Sequence, residues 1–246
     1  MSTQNGGPVI IKNGLSLYVD PANYNTYNGG IYVYDMIGST GLTFSFENGA
    51  LFDNVNNGTF KFDGVTSTTA SVVSSNLVYP MSAKMSWDVW FKRTNDGNMF
   101  NIVYSNNLPY LSFRGTGSGV NTNLFLFSWY TSFGGVATQR SLYTLGTYSN
   151  NIWYNVVCTL DQNLTSTAST VNMYVDGSFI NTITTAVGTV DAVFQPTIGN
   201  RLLLGNFSSP RYPFTGNIGA FKVYNRILSA SEILQNYNTL KSRYQN

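Results

Sequence analysis

A chain of 246 residues, 43% hydrophobic and only 10% charged, has the length of one large β-domain or two small ones. It holds no histidine, one cysteine (Cys158) and just two glutamates, Glu47 and Glu232. Histidine-based catalytic triads, zinc sites of His or several Cys, and an intrachain disulfide are therefore excluded, and a formal net charge of +2 is too small for a nucleic-acid footprint.

The first twelve residues, Met1 to Lys12, are polar and Gly-containing and read as a mobile N-terminal arm, leaving 13–246 as a single domain. No basic segment followed by an apolar stretch marks a signal peptide there. From Leu15 onward, short β-type runs recur between Gly, Asn, Ser and Asp clusters. Strands are expected at Leu15–Val19, Ile31–Tyr34, Leu42–Phe46, Thr59–Phe62 and Ala70–Val73. Lys84–Lys92 is the clearest, because Met85, Trp87, Val89 and Phe91 alternate with Ser86, Asp88 and Trp90. Further strands are expected at Phe100–Tyr104, Tyr110–Phe113, Asn123–Trp129, Ser141–Leu145 and Trp153–Leu160. Val171–Val175 and Ser178–Thr182 flank Asp176-Gly177, a type I′ hairpin signal, and Leu202–Leu204 and Ile218–Tyr224 complete the set. The 190s lack alternation and read as a loop.

One helix is expected, at the C-terminus. Ser229-Ala230-Ser231-Glu232 has the form of a capping box, and Ile233, Tyr237 and Leu240 follow at helical spacing. So many short strands imply an all-β, two-sheet antiparallel β-sandwich of jelly-roll type with one short C-terminal helix; a barrel is the alternative. Cys158, in the run Val156-Val157-Cys158, reads as a small core residue. No apolar run approaches the roughly 18 residues needed to span a bilayer, so no membrane insertion is expected.

Several strings, in order, resemble the laminin-G-like, concanavalin A-like sandwich domains of bacterial surface proteins and of phage and viral particle proteins. They are Gly14-Leu15-Ser16-Leu17-Tyr18-Val19-Asp20, Phe60-Lys61-Phe62-Asp63-Gly64-Val65, Met85 to Lys92, and Trp153-Tyr154-Asn155-Val156-Val157, where Asn155 replaces the usual His. Val171 to Gly177 matches the family's hairpin, and Phe214 to Ile218 with Val223 to Ile233 is the most specific block. The resemblance implies the sandwich fold; it leaves the activity open, because this fold hosts lectins, adhesins, structural modules and glucanases.

Glycosidase chemistry needs two carboxylates about 5–9 Å apart on one face. Here Glu47 precedes a turn, Glu232 caps a helix, and Asp88 is the only acid inside a sandwich strand, so no catalytic residue is assigned and no enzyme is expected. Glycan binding needs aromatic platforms beside hydrogen-bonding groups. The candidates are Trp129 and Tyr130, expected to be exposed at a strand end, Trp90 with Asp88, and Tyr212 in the loop Pro210 to Pro213. The competing reading for Trp90 is burial against loops or the helix. The resemblance also raises calcium, with Asp96 and Asp161 as weak candidates, although turn stabilisation through Asx geometry is the favoured reading of them.

The function expected from these readings is a non-catalytic structural or display protein on a virion surface, a phage capsid or tail decoration. It is made in the host cytoplasm, contacts other particle structural proteins and host surface glycans, and is open to homo-oligomerisation. A carbohydrate-binding module or adhesin is the alternative, and a glycan-active hydrolase a remote one.

Overall fold

The structure, a computed structural model, describes residues 9–37, 42–64, 71–74, 84–95, 99–105, 109–115, 123–133, 136–162, 168–186, 202–205 and 214–245. Its strands are β1 (Leu15–Val19), β2 (Tyr32–Tyr34), β3 (Thr43–Glu47), β4 (Leu51–Asp53), β5 (Thr59–Asp63), β6 (Ser71–Ser74), β7 (Lys84–Arg93) and β8 (Met99–Ser105). They continue with β9 (Tyr110–Arg114), β10 (Leu124–Phe133), β11 (Val136–Tyr143), β12 (Trp153–Gln162), β13 (Ala168–Val175), β14 (Ser178–Ala186), β15 (Leu202–Leu204) and β16 (Thr215–Tyr224). The α-helix α1 (Ala230–Tyr244) follows. The expected strands are all present within the described residues. β4 was not foreseen, and β11 begins five residues before the expected Ser141 because Val136 to Arg140 is too polar to read as a strand.

These strands form the expected sandwich of two antiparallel sheets, not a barrel. One sheet has the order β14-β13-β12-β7-β16-β5-β4, with β1 also paired to β16. The other has the order β11-β10-β9-β8-β15-β6-β3-β2. Between them lies the main core, in which Trp87 meets Phe127 and Phe221 edge-on, and Phe91 meets Phe125, with ring centroids 5.3–6.1 Å apart. Cys158 is buried in this core as a free thiol, and burial pushes its pKa up.

Local chemistry sets the turns. Asp176 and Gly177 both have positive φ, 51° and 76°, as a type I′ hairpin between β13 and β14 requires. At the helix start, the Glu232 N–H donates to Ser229 Oγ (3.3 Å) and the Ser229 N–H donates to Glu232 Oε2 (2.9 Å), closing the capping box.

Helix α1 lies on the outer face of the first sheet and covers its central strands. Each residue on the minor face of β7 holds part of this layer. Ser86 Oγ donates to the Arg226 carbonyl and accepts from the Leu228 N–H, both at 2.9 Å. Asp88 binds Asn236 of the helix, and Trp90 stacks on Tyr237 and Tyr244 with centroids 5.6 and 4.6 Å away. The alternation of β7 therefore separates two buried faces rather than a buried and a wet one.

A bulge in β16 between Ile218 and Phe221 turns the Ala220 N–H out of the ladder, where it donates to the Tyr244 hydroxyl at 2.9 Å. Gly219 is required there, since a Cβ at this position would lie 2.2 Å from that hydroxyl oxygen. Of the arm expected over 1–12, residues 9 to 11 are fastened to the helix: Gln235 donates to the Val9 carbonyl (2.7 Å) and the Ile11 N–H to Asn236 Oδ1 (2.9 Å). Residues 1–8 lie outside the described residues.

Candidate functional site

The acid and the tryptophan singled out on β7 do not reach solvent. Asp88 is fully buried and forms an ion pair with the equally buried Lys222 at 2.9 Å. Its carboxylate also accepts from Asn155 Nδ2 (2.8 Å) and Asn236 Nδ2 (3.1 Å), so Asn155 partly occupies itself with fastening the acid. Asn236 Nδ2 lies 2.9 Å from the Tyr224 hydroxyl, which donates to the Ile11 carbonyl at 3.1 Å. Burial, aided by the nearby Asp88 charge, pushes the Tyr224 hydroxyl far above its ordinary pKa. This network fastens helix and N-terminal segment to the sheet and offers no face to a sugar. Trp90 is likewise 0% exposed beneath the helix, which is the competing reading given for it.

The expected exposure of Trp129 is overturned. Its ring is 0% exposed and stacks on Phe127 inside the core, because β10 continues to Phe133 and the tryptophan is interior to the strand rather than at its end. Tyr130 is on β10 opposite Gln139, with its side chain outside the described residues. Tyr212 and Asp96 also lie outside the described residues. Asp161 is on β12, 3.2 Å from Lys84 Nζ in an ion pair. Among the described residues no group of three or more His, Cys, Asp or Glu gathers as a metal site.

The structure instead brings together residues absent from the sequence candidates. Edge strand β11 of one sheet and edge strand β14 of the other meet at one side of the sandwich, joined by a bond from Asn181 Nδ2 to the Tyr143 carbonyl at 2.9 Å. Between them opens a cleft of ≈ 500 Å³ bordered by Ser141, Tyr143, Thr144 and Leu145 on one side and Asn181 and Thr182 on the other. That volume lies in the range of small-ligand sites, about 300–1,000 Å³. Leu145 is 65% exposed at its rim.

Strand alternation aims the polar residues of this region outward. On β9 and β11, Leu111, Phe113 and Leu142 enter the core, which places Tyr110, Ser112 and Arg114, and Gln139, Ser141 and Tyr143, on the other face. There Ser141 Oγ lies 2.8 Å from Ser128 Oγ, and Gln139 Nε2 donates to the Tyr110 hydroxyl at 2.7 Å. No charged side chain borders the cleft. Hydroxyls, an amide, one phenol ring and an aliphatic rim suit a neutral polyhydroxylated surface; they hold no acid–base pair. The polar alternation Gln139, Ser141, Tyr143 was visible in sequence, but its partner Asn181 comes from a different strand and sheet.

A two-sheet antiparallel sandwich with one sheet capped by a helix and an open cleft at its side is a lectin-like domain. The chain belongs to the Concanavalin A-like lectin/glucanases superfamily, whose laminin-G-like profile matches residues 63–234. No curated protein sequence matches it. Among solved structures it is similar to the botulinum neurotoxin type G receptor-binding domain, with 17% identity and a TM-score of 0.63 over 92% of this chain and 51% of that one. The binding domain of botulinum neurotoxin DC, solved in complex with rat synaptotagmin II, gives 14% identity and a TM-score of 0.64 over 92% and 52%. The same toxin domain in complex with SialylT gives 15% and 0.63 over 92% and 51%. At these identities the likeness shows the fold, and the chain spans about half the length of those chains.

Proposed function

We propose that this chain is a non-catalytic display domain of a virion surface, and that the cleft between β11 and β14 binds host-cell saccharide. The observation that carries the reading is the separation of polar chemistry in the molecule. Asp88, Asp20 and Glu232 are engaged by Lys222, Arg243 and Arg226, whereas the open cleft is bordered by uncharged hydrogen-bonding and aliphatic residues with no carboxylate among them. A hydrolase needs the reverse, an open site with two carboxylates. The toxin binding domain solved in complex with SialylT, about half of whose length this chain spans, supports the saccharide class.

The display setting is supported by a surface of Asn, Ser, Thr and Tyr with few charges. It is also supported by edge strand β2, at the far end of its sheet from β11, which exposes Tyr32 and Tyr34 at 51% and 42%. That edge is suited to contact with a neighbouring particle protein while the cleft faces outward.

Titration of the chain against a glycan panel, followed by amide NMR shifts, tests the binding site. Saturable shifts centred on Tyr143 and Asn181 are expected, with affinity falling about tenfold (roughly 1.4 kcal/mol) in Tyr143→Ala at unchanged melting temperature. Absence of shifts across the panel rejects the saccharide reading, and turnover of any probe rejects the non-catalytic one. Immunogold labelling of intact particles tests the display role separately. Binding without particle labelling leaves a free carbohydrate-binding module or adhesin.

A further inference from the structure

Arg114, at the end of β9, carries a charge that no acid among the described residues neutralises. The ion pairs of the described residues join Lys84 to Asp161, Lys222 to Asp88, Arg226 to Glu232 and Arg243 to Asp20. Arg114 is in none of them. It is half-buried, and its Nε is buried with no hydrogen-bond partner. Both of its contacts are with Tyr143: Nη1 reaches that hydroxyl at 3.4 Å, and the guanidinium carbon lies 5.7 Å from the ring centroid. Arg93 differs in that its guanidinium, 3.7 Å from the Phe113 ring centroid, also donates to two backbone carbonyls, those of Asn95 and Tyr148.

Arg114 does not itself border the cleft but neighbours two residues that do: Leu124, its register partner on β10, and Tyr143, whose hydroxyl and ring it meets. Tyr143, which borders the uncharged cleft, is therefore in contact with a guanidinium that is in no ion pair among the described residues. A half-dehydrated guanidinium without an acid is costly to keep, and its planar fork matches a carboxylate in bidentate fashion.

We infer that Arg114 and Tyr143 form a carboxylate-reading subsite, so that the saccharide taken by the cleft is acidic, ending in a sialic or uronic acid. The sugar ring lies against Tyr143 and Leu145 while its carboxylate meets the Arg114 guanidinium. This rests on the cleft being the saccharide site. The interaction is electrostatic and partly exposed, so added salt weakens it.

The test is calorimetric titration of the full chain with sialyllactose, oligogalacturonate and lactose, in wild type, Arg114→Gln, Arg114→Lys and Tyr143→Ala. One acidic probe is expected to bind at least about tenfold more tightly than lactose, and which one does so identifies the source of the carboxylate. Arg114→Gln should erase the preference, bringing acidic and neutral probes to equal affinity, and Arg114→Lys, which keeps the charge but loses the fork, should retain part of it. If Arg114→Gln does not fold, Arg114→Lys decides: an acid preference undiminished by loss of the fork overturns the subsite. Equal binding of acidic and neutral probes, or a preference that persists in Arg114→Gln, also overturns the subsite and leaves the cleft standing. No binding of any probe, or binding indifferent to Tyr143→Ala, overturns the cleft and this inference together.

Discussion

Lys222 and Asp88 are both fully buried and 2.9 Å apart, so each is the other's counter-ion. Removing one partner of such a pair leaves an uncompensated charge, at a cost of about 3–5 kcal/mol. Lys222→Met should therefore lower the urea midpoint by a corresponding amount. Adding Asp88→Asn should recover part of the loss, because Asn carries no charge and its one carbonyl oxygen still accepts from either Asn155 or Asn236. Trp129 behaves as a core residue under the same reasoning. Trp129→Ala should cost about 3–5 kcal/mol in denaturant unfolding through the cavity it leaves. Any weakening of ligand binding in that variant should track the unfolded fraction rather than appear in the folded protein.

Helix α1 is held at its two ends by different chemistry. At its start the Arg226 guanidinium, at 2.6 and 2.8 Å from the carboxylate oxygens, holds Glu232 down to about 2 from the ordinary 4.5, with the Ser229 N–H and hydroxyl assisting against partial burial. A depressed carboxylate stabilises the folded state above its unfolded pKa and loses that contribution as protons bind. The stabilisation is thus complete above about pH 4.5 and declines toward pH 2. In thermal melts across that range, Arg226→Gln should flatten this acid limb relative to wild type; an identical pH slope in both proteins contradicts the assignment. At the other end, the Tyr244 hydroxyl is the acceptor for the Ala220 N–H freed by the bulge in β16. Tyr244→Phe leaves that buried amide without a partner, a loss of about 1–3 kcal/mol, read as a lower urea midpoint with unchanged secondary structure.

At the scale of the whole molecule, the sandwich is asymmetric. The first sheet is covered on both faces, by the second sheet inside and by α1 and residues 9 to 11 outside. A chain ending after Leu228 would expose Trp90, Trp153 and the Asp88–Lys222 pair together. Such a truncation should lose near-ultraviolet circular dichroism and bind a hydrophobic dye while keeping β-type far-ultraviolet signal, as expected of a state without fixed packing. Retained cooperative unfolding would show that the helix is dispensable. The cleft belongs to this scale as well, since it exists only where the edges of the two sheets meet.

The amino-acid sequence determined by itself what is local. Period-two alternation marked β7, Asp176-Gly177 marked the hairpin, and Ser229 with Glu232 marked the helix start, because each depends only on neighbours along the chain. It also excluded histidine and thiol-pair chemistry by composition alone. What covers a strand face is not local. Burial against loops or the helix is the favoured reading of Trp90, while Ser86 and Asp88 carry no signal of what covers them; the docking of a helix more than a hundred residues later decided all three. The exposure of Trp129 turned on how far β10 extends past it, and β4 was too short and too close to Asp and Asn to register as a strand. Tyr143 and Asn181 meet across two sheets, so no spacing in the chain announces their cleft; long-range packing brought them together.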